Sequence, residues 1–565
     1  MKNCTIRLSN SLCTDLFPKR RSLVLSLCLF TSLLLTTGTV PRPTLAQSGN
    51  QSDITGVDLV ETGTNIIPST DTTDTEASGE QPSETPTQIT SSDVDRPALE
   101  QRLSADTTPT PLVFSLQSQA LTTNYTPLLQ TLGIQLNGND PSPRIIAQQL
   151  SNLANLTGNN AHYVQIFGTQ TQQFVTTRIG PSVPSQSSRG ALTVSQSAVN
   201  SQKVSGASKS LPRLAQSNET PTPEEALVSR YITPPLPEGR IAQLVAQLAQ
   251  QIHNDGTLNK LIGQRLYDLL IKPMEADLEA AGADTLVIAL DTNLLGLPIA
   301  ALNDGEQFLV DKYAVAVVPS FGLSDIGFTD IRQQSILAMG SQTFTDQAPL
   351  PGVPVEIKNL LQTFAGRSLL NESFTVDNFI QAFQEMSQQG DRPSIIHLAT
   401  HGEFMPQDYR KSYIRFGDQP VALVDFRSIA TELGWDLPET APELLVLSAC
   451  RTAVGDPIAE LGFGGLAVAS GAKSALASLW YVSDVGTLAL MREFYTALKV
   501  NGLKSIALQQ AQQRLRRGET RLESGKLRLS DGTVVNLPPD LAKLPAQDFR
   551  EPYYWAAFTL IGNWN

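Results

Sequence analysis

The chain is 565 residues long, more than one compact core can hold, so length alone predicts two or three domains joined by linkers. Hydrophobic residues make up 41% and charged residues only 17%, the balance of a globular protein that also carries uncharged linker segments. A formal net charge of -13 argues against a nucleic-acid-binding surface, which needs Lys and Arg clustered against phosphates.

The N-terminus reads Lys19-Arg20-Arg21, an apolar run from Leu23 to Leu35, and Thr44-Leu45-Ala46 before Gln47. A basic region, a short apolar core and a small-x-Ala site describe a secretory signal peptide over 1–46. The run is too short to span a bilayer comfortably, so the mature protein is expected off the membrane, secreted or periplasmic. An uncleaved anchor is the alternative, and Arg20-Arg21 also loosely fits a twin-arginine signal. Cleavage after Ala46 removes Cys4, Cys13 and Cys28 and leaves Cys450 without a partner for an internal disulfide. Such a cysteine is a reactive thiol, an intermolecular link or a small buried hydrophobe.

Residues 47–108 are rich in Ser, Thr, Pro, Gln and Gly and read as a disordered linker. A small α+β N-terminal subdomain follows over 109–181, with a short strand at Leu112–Leu116, a helix at Ile145–Leu156 and a hairpin at Ala161–Ile179. A low-complexity linker or insertion spans 182–223. The region 224–565 opens helically to about Ala281. Strands expected at Thr285–Leu290, Tyr313–Val318, Ile336–Gly340 and Ser394 onward then alternate with helices near Val355–Phe364 and Val376–Met386. That alternation builds an α/β fold with a mostly parallel sheet flanked by helices. Further on, Lys473–Trp480 reads as a strand, Thr487–Lys499 and Leu503–Arg514 as helices, Gly525–Leu537 as a polar hairpin and Tyr553–Ile561 as a last strand. No repeat of fixed period, phosphate-cradling glycine loop or metal-ligand spacing is present in the sequence.

Two of these strands carry the chemistry. Ser394-Ile395-Ile396-His397-Leu398-Ala399-Thr400-His401-Gly402 and Glu443-Leu444-Leu445-Val446-Leu447-Ser448-Ala449-Cys450-Arg451-Thr452 are apolar runs of buried-strand length ending in small or polar residues. In open α/β sheets, ligands bind outside the carboxyl ends of strands, where His401 and Cys450 fall. A cysteine nucleophile works as thiolate and needs an imidazole to take its proton. Adjacent parallel strands would bring the two side by side despite the 49 positions between them. The backbone N–H groups of Gly402 and Cys450 are the candidate oxyanion donors. His397, inside the apolar run, reads as a hydrogen-bonded core histidine; Glu403 reads as solvent-facing; His162 and His253 have no matching partner.

The blocks His397-Leu398-Ala399-Thr400-His401-Gly402-Glu403-Phe404 and Leu445-Val446-Leu447-Ser448-Ala449-Cys450-Arg451-Thr452-Ala453 resemble the signature of CHAT-domain, caspase-like peptidases. Leu479-Trp480-Tyr481-Val482-Ser483-Asp484 and the terminal Pro552-Tyr553-Tyr554-Trp555-Ala556-Ala557-Phe558 match as well, and the likeness covers about Glu224 to Asn565. It implies a caspase-hemoglobinase fold related to separases and caspases. It also implies a dyad in which His401 is the base and Cys450 the nucleophile, with a protein or peptide substrate and neither metal nor organic cofactor. A histidine about fifty residues before the nucleophile is the caspase spacing too. The resulting expectation is a secreted or periplasmic cysteine endopeptidase. Its rivals are a non-catalytic CHAT protein-interaction module at the cell envelope and a transpeptidase. The block ending in Asp484 resembles the separase stretch whose Asp lines the pocket for a basic residue, so cleavage after Arg or Lys is expected. Against that stands a plain helix-capping role for Asp484, with Asp291 as the reserve pocket residue.

Overall fold

The computed structural model describes residues 113–121, 140–169, 173–182, 227–255, 260–405, 409–452 and 471–565. The expected signal peptide, the 47–108 linker, nearly all of 182–223 and the glycine-rich stretch around Gly462–Gly465 lie outside the described residues. Among the described residues, thirteen strands form one sheet. In chain order they are β1 (Ala161–Gly168), β2 (Phe174–Ile179), β3 (Val228–Ile232), β4 (Thr285–Leu290), β5 (Ala314–Val317), β6 (Ser335–Gly340), β7 (Gly366–Leu370), β8 (Pro393–Phe404), β9 (Tyr413–Arg415), β10 (Pro420–Ala422), β11 (Leu444–Thr452) and β12 (Ser474–Ser478), with β16 (Phe558–Gly562) closing the set. A separate three-stranded sheet is made of β13 (Arg521–Glu523), β14 (Lys526–Arg528) and β15 (Val534–Asn536).

Parallel pairings run along β7–β6–β8–β11–β12 and again along β16–β5–β4–β1. The joints at β12–β16, β8–β9–β10 and β1–β2–β3 are antiparallel. The parallel strands read as unbroken apolar runs because helices cover the sheet: every residue of β4 (Thr-Leu-Val-Ile-Ala-Leu) and of β6 (Ser-Ile-Leu-Ala-Met-Gly) is buried. Helix Val353–Thr363 packs on β6 and β8, and helix Asp484–Asn501 packs on both that helix and β11. Gly340, ending β6, permits this closeness. A Cβ there would stand 2.4 Å from the Ala399 carbonyl oxygen and 2.7 Å from a Val353 methyl.

The structure departs from the sequence expectations in four stretches. The apolar run beginning at Val113 forms a helix over 113–121 rather than a strand; a short apolar run fits the buried side of either element. The region from Glu224 is not helical throughout, since β3 precedes helix Arg240–Asp255. The chain near Tyr553 first makes a helical turn, Pro552–Trp555, before β16 begins at Phe558. The polar hairpin at Gly525–Leu537 gains a third strand, β13, and buried Glu493 pins the unit by accepting from the Ser530 backbone N–H and hydroxyl, each at 2.8 Å. The 109–181 stretch also shares the main sheet: β1 pairs with β4, and β2 with β3. No helix among the described residues is long and apolar enough to cross a membrane.

Candidate active site

β8 and β11 lie side by side and parallel, from Leu444↔Ile395 through Leu447↔Leu398. The register then shifts. Ala449 pairs with His401 and Cys450 with Gly402, so β8 advances three residues while β11 advances two. The extra residue is a bulge at Ala399–Thr400, and bulges re-aim the side chains that follow them. His401 and Cys450 thus occupy successive registers at the carboxyl ends of neighbouring strands. The side chain of Cys450 lies outside the described residues.

His401 is half-buried, with Nε2 2.8 Å from the carbonyl oxygen of Ala348. A carbonyl only accepts, so Nε2 carries the hydrogen, and in the neutral ring Nδ1 is the basic nitrogen. The Phe344 ring meets the imidazole edge-on, with centroids 4.8 Å apart. Both contacts come from the loop between β6 and helix Val353–Thr363. Nearby, Arg415 is buried against Asp346 of the same loop at 3.2 Å. Gly402 is buried, with ladder partners on both sides, Cys450 in β11 and Ile414 in β9. Glu403 does not face solvent freely: it is half-buried and accepts from the Tyr413 hydroxyl at 3.1 Å. Burial, then the Glu403 carboxylate, holds that phenol above its usual range.

His397 is fully buried, with Nδ1 2.9 Å from the Tyr495 hydroxyl. Its Nε2 approaches Glu356 Oε1 to 2.9 Å without the alignment of a hydrogen bond. It is a core histidine whose partners are Tyr495 and Glu356. His162 pairs with Arg178 Nη1 at 2.9 Å; burial and the Arg178 charge pull it down to about 3, so it stays neutral.

Asp484 is the first residue of helix Asp484–Asn501, but Ser483 is its cap, accepting from the Gly486 N–H at 3.3 Å. The Asp484 carboxylate reaches instead across the fold, where Oδ2 accepts from the Gly352 N–H at 2.6 Å. Burial raises its pKa to about 6, the Gly352 N–H draws it partly back, and the Glu356 charge adds to the rise. Asp291 is removed as a pocket residue. It is fully buried at the end of β4, takes the Gly168 N–H at 3.2 Å, and stands four strands from β11, roughly 19 Å at ordinary strand spacing. Ala348, Gly352 and Phe344 were not foreseen. The only sequence mark was the turn-forming Pro349-Leu350-Pro351-Gly352.

The fold and site therefore define an α/β protein with a histidine and a cysteine at adjoining carboxyl ends of central parallel strands. The CHAT domain family matches residues 260–563, more than half of the 565 residues, and the chain belongs to that family. Among solved structures it is similar to the Saccharomyces cerevisiae separase–securin complex, with TM-score 0.42 and 10% identity, covering 82% of this chain and 34% of that one. It is also similar to the Arg specific cysteine proteinase gingipain R, with TM-score 0.31 and 11% identity over 58% of this chain and 74% of that one. A complex of Porphyromonas gingivalis RgpB pro- and mature domains gives TM-score 0.30 and 11% identity, over 58% and 75%. The chain spans about a third of the length of the separase chain it matches. No curated protein sequence matches it.

Proposed function

We propose that the protein is an exported cysteine endopeptidase that uses His401 and Cys450 as a dyad and cuts after a basic residue. The observation carrying this reading is the parallel pairing of β8 and β11, with His401 and Cys450 in successive registers at the strand ends. Membership of the CHAT family supports it. With Nε2–H given to Ala348, Nδ1 of His401 takes the Cys450 thiol proton. The thiolate sulfur then bonds to the substrate carbonyl carbon, and the C=O electron pair moves onto oxygen. Collapse of that intermediate breaks the C–N bond, and His401 returns its proton to the leaving amine. Water attacks the thioester by the same route in reverse. The N–H groups of Gly402 and Cys450, directly paired across β8 and β11, are the proposed oxyanion donors. Export rests on the basic-apolar-small pattern of residues 19–46, and N-terminal sequencing of purified protein starting at Gln47 is the expected result.

Asp484 is the proposed partner of the basic side chain. A carboxylate at a helix start, poised near 6, binds a cation only once it has lost its proton. The ratio of kcat/KM for an Arg substrate to that for its neutral isostere should therefore fall as pH drops below about 6, approaching tenfold per unit. A ratio flat from pH 5 to 8 would remove Asp484 from the pocket. The defining experiment is cleavage of a proteome-derived peptide library by the mature protein. Cuts after Arg and Lys are expected; cuts after Asp would overturn the assignment. An added amine appearing in the products would mean transpeptidation.

A further inference from the structure

The proposed pocket carboxylate and the proposed base are fastened to one five-residue segment. The Ala348 carbonyl accepts from His401 Nε2–H at 2.8 Å, and the Gly352 N–H donates to Asp484 Oδ2 at 2.6 Å. Between them run Pro349, Leu350 and Pro351. Each proline ring fixes its φ, leaving the span few soft torsions. Leu350 is buried, its N–H bonded to the Gln342 carbonyl and its own carbonyl accepting from the Val353 N–H. The Gly352 carbonyl accepts from Val355 and Glu356, which locks the segment onto helix Val353–Thr363.

Gly352 shows that the clasp is built in. Its φ of -73° suits any residue, so backbone freedom does not require glycine there. What glycine provides is room, because a Cβ would stand 2.7 and 2.9 Å from the two Asp484 oxygens. A first-turn acid needs no partner to favour a helix start, yet this one is joined to a loop 132 residues away.

We infer that Asp484 is also a positioning residue for His401, acting through the stiff Ala348–Gly352 segment. The inference rests on the dyad proposed above. Holding Gly352 holds the Ala348 carbonyl, and that carbonyl fixes which imidazole nitrogen bears the hydrogen and where the other points. Substrate charge and the alignment of the base are thereby linked through one carboxylate.

The test is the rate at which an uncharged, thiol-directed peptide probe labels Cys450 in the mature full-length protein. Such a probe ignores the charge of the pocket. Asp484→Ala should slow labelling about tenfold, the scale of a small misplacement of a reacting group. Asp484→Asn should restore most of the rate, because an amide oxygen still accepts from Gly352. Gly352→Ala, which pushes the carboxylate away, should slow labelling like Asp484→Ala, and the double variant should be no slower than either alone. Wild-type labelling rates in Asp484→Ala or in Gly352→Ala, or equal slowing in Asp484→Asn and Asp484→Ala, would overturn the inference while leaving the dyad standing. A wild-type protein that labels no faster than an unfolded cysteine would sink both.

Discussion

Replacing Cys450 by alanine should abolish peptide cleavage, a loss on the order of 10⁴-fold or more, and replacing His401 by alanine should come close to it. In the proposed mechanism Cys450 supplies the sulfur that bonds to the substrate, and no other cysteine remains if residues 1–46 are removed. Without His401 the thiol keeps its ordinary pKa, only a few per cent is thiolate near neutrality, and the leaving amine departs without a proton donor. Combining the two substitutions should add little, because the residues act as one unit. Either single variant cleaving within tenfold of the parent would favour the non-catalytic protein-interaction reading of the CHAT domain.

The largest stability effect is expected at the opposite end of the same strand. Glu443 immediately precedes β11 and is buried, with Oε1 2.8 Å from Lys473 Nζ and Oε2 3.8 Å from Lys504 Nζ. Its backbone carbonyl also accepts from Lys504 Nζ at 3.3 Å. Lys504 has no exposure to speak of, and burial pulls its ammonium down to about 8 even though Glu443 opposes the shift. Lys473, less buried and closer to Glu443, is instead raised. Glu443→Ala leaves the buried Lys504 ammonium without its nearest carboxylate and Lys473 with only Asp325, at 3.5 Å, and should cost about 3–5 kcal/mol in unfolding free energy. The folded pKa of Lys504 lies below its unfolded value of about 10.4, so its burial penalty is fully present below pH 8 and is relieved as pH rises from 8 toward 10. The variant should regain stability over that window more steeply than the parent. Denaturant midpoints at pH 7 and pH 9.5 measure both effects, and a loss under 1 kcal/mol at pH 7 would contradict the account.

What the sequence disclosed and what it withheld divide on physical lines. β8 and β11 were legible because parallel strands covered on both faces are unbroken apolar runs, and the polar residues ending them stand out. The helix over 113–121 and strand β3 were misread because each is brief, and local pattern does not separate a short buried helix from a short strand. Pro552 did mark a helix start, since proline suits the first helical turn, but the apolar residues after it drew the strand too early. The joining of β1 to β4 bridges more than a hundred residues and has no local signature. At the site, His401, Cys450 and Asp484 were visible as side chains. The groups that hold two of them, the Ala348 carbonyl and the Gly352 N–H, belong to the backbone, and the Pro-Leu-Pro-Gly turn that carries them does not tell which distant side chains they meet.

The central claim is that His401 activates Cys450, and the pH dependence of Cys450 alkylation by a small uncharged thiol reagent measures that directly. The account predicts that the mature wild-type protein reacts readily below pH 7, because an imidazolium beside the sulfur stabilises the thiolate, whereas His401→Ala reacts only as pH approaches the ordinary thiol value of about 8.5. Two superimposable curves, both rising near pH 8.5, would contradict it.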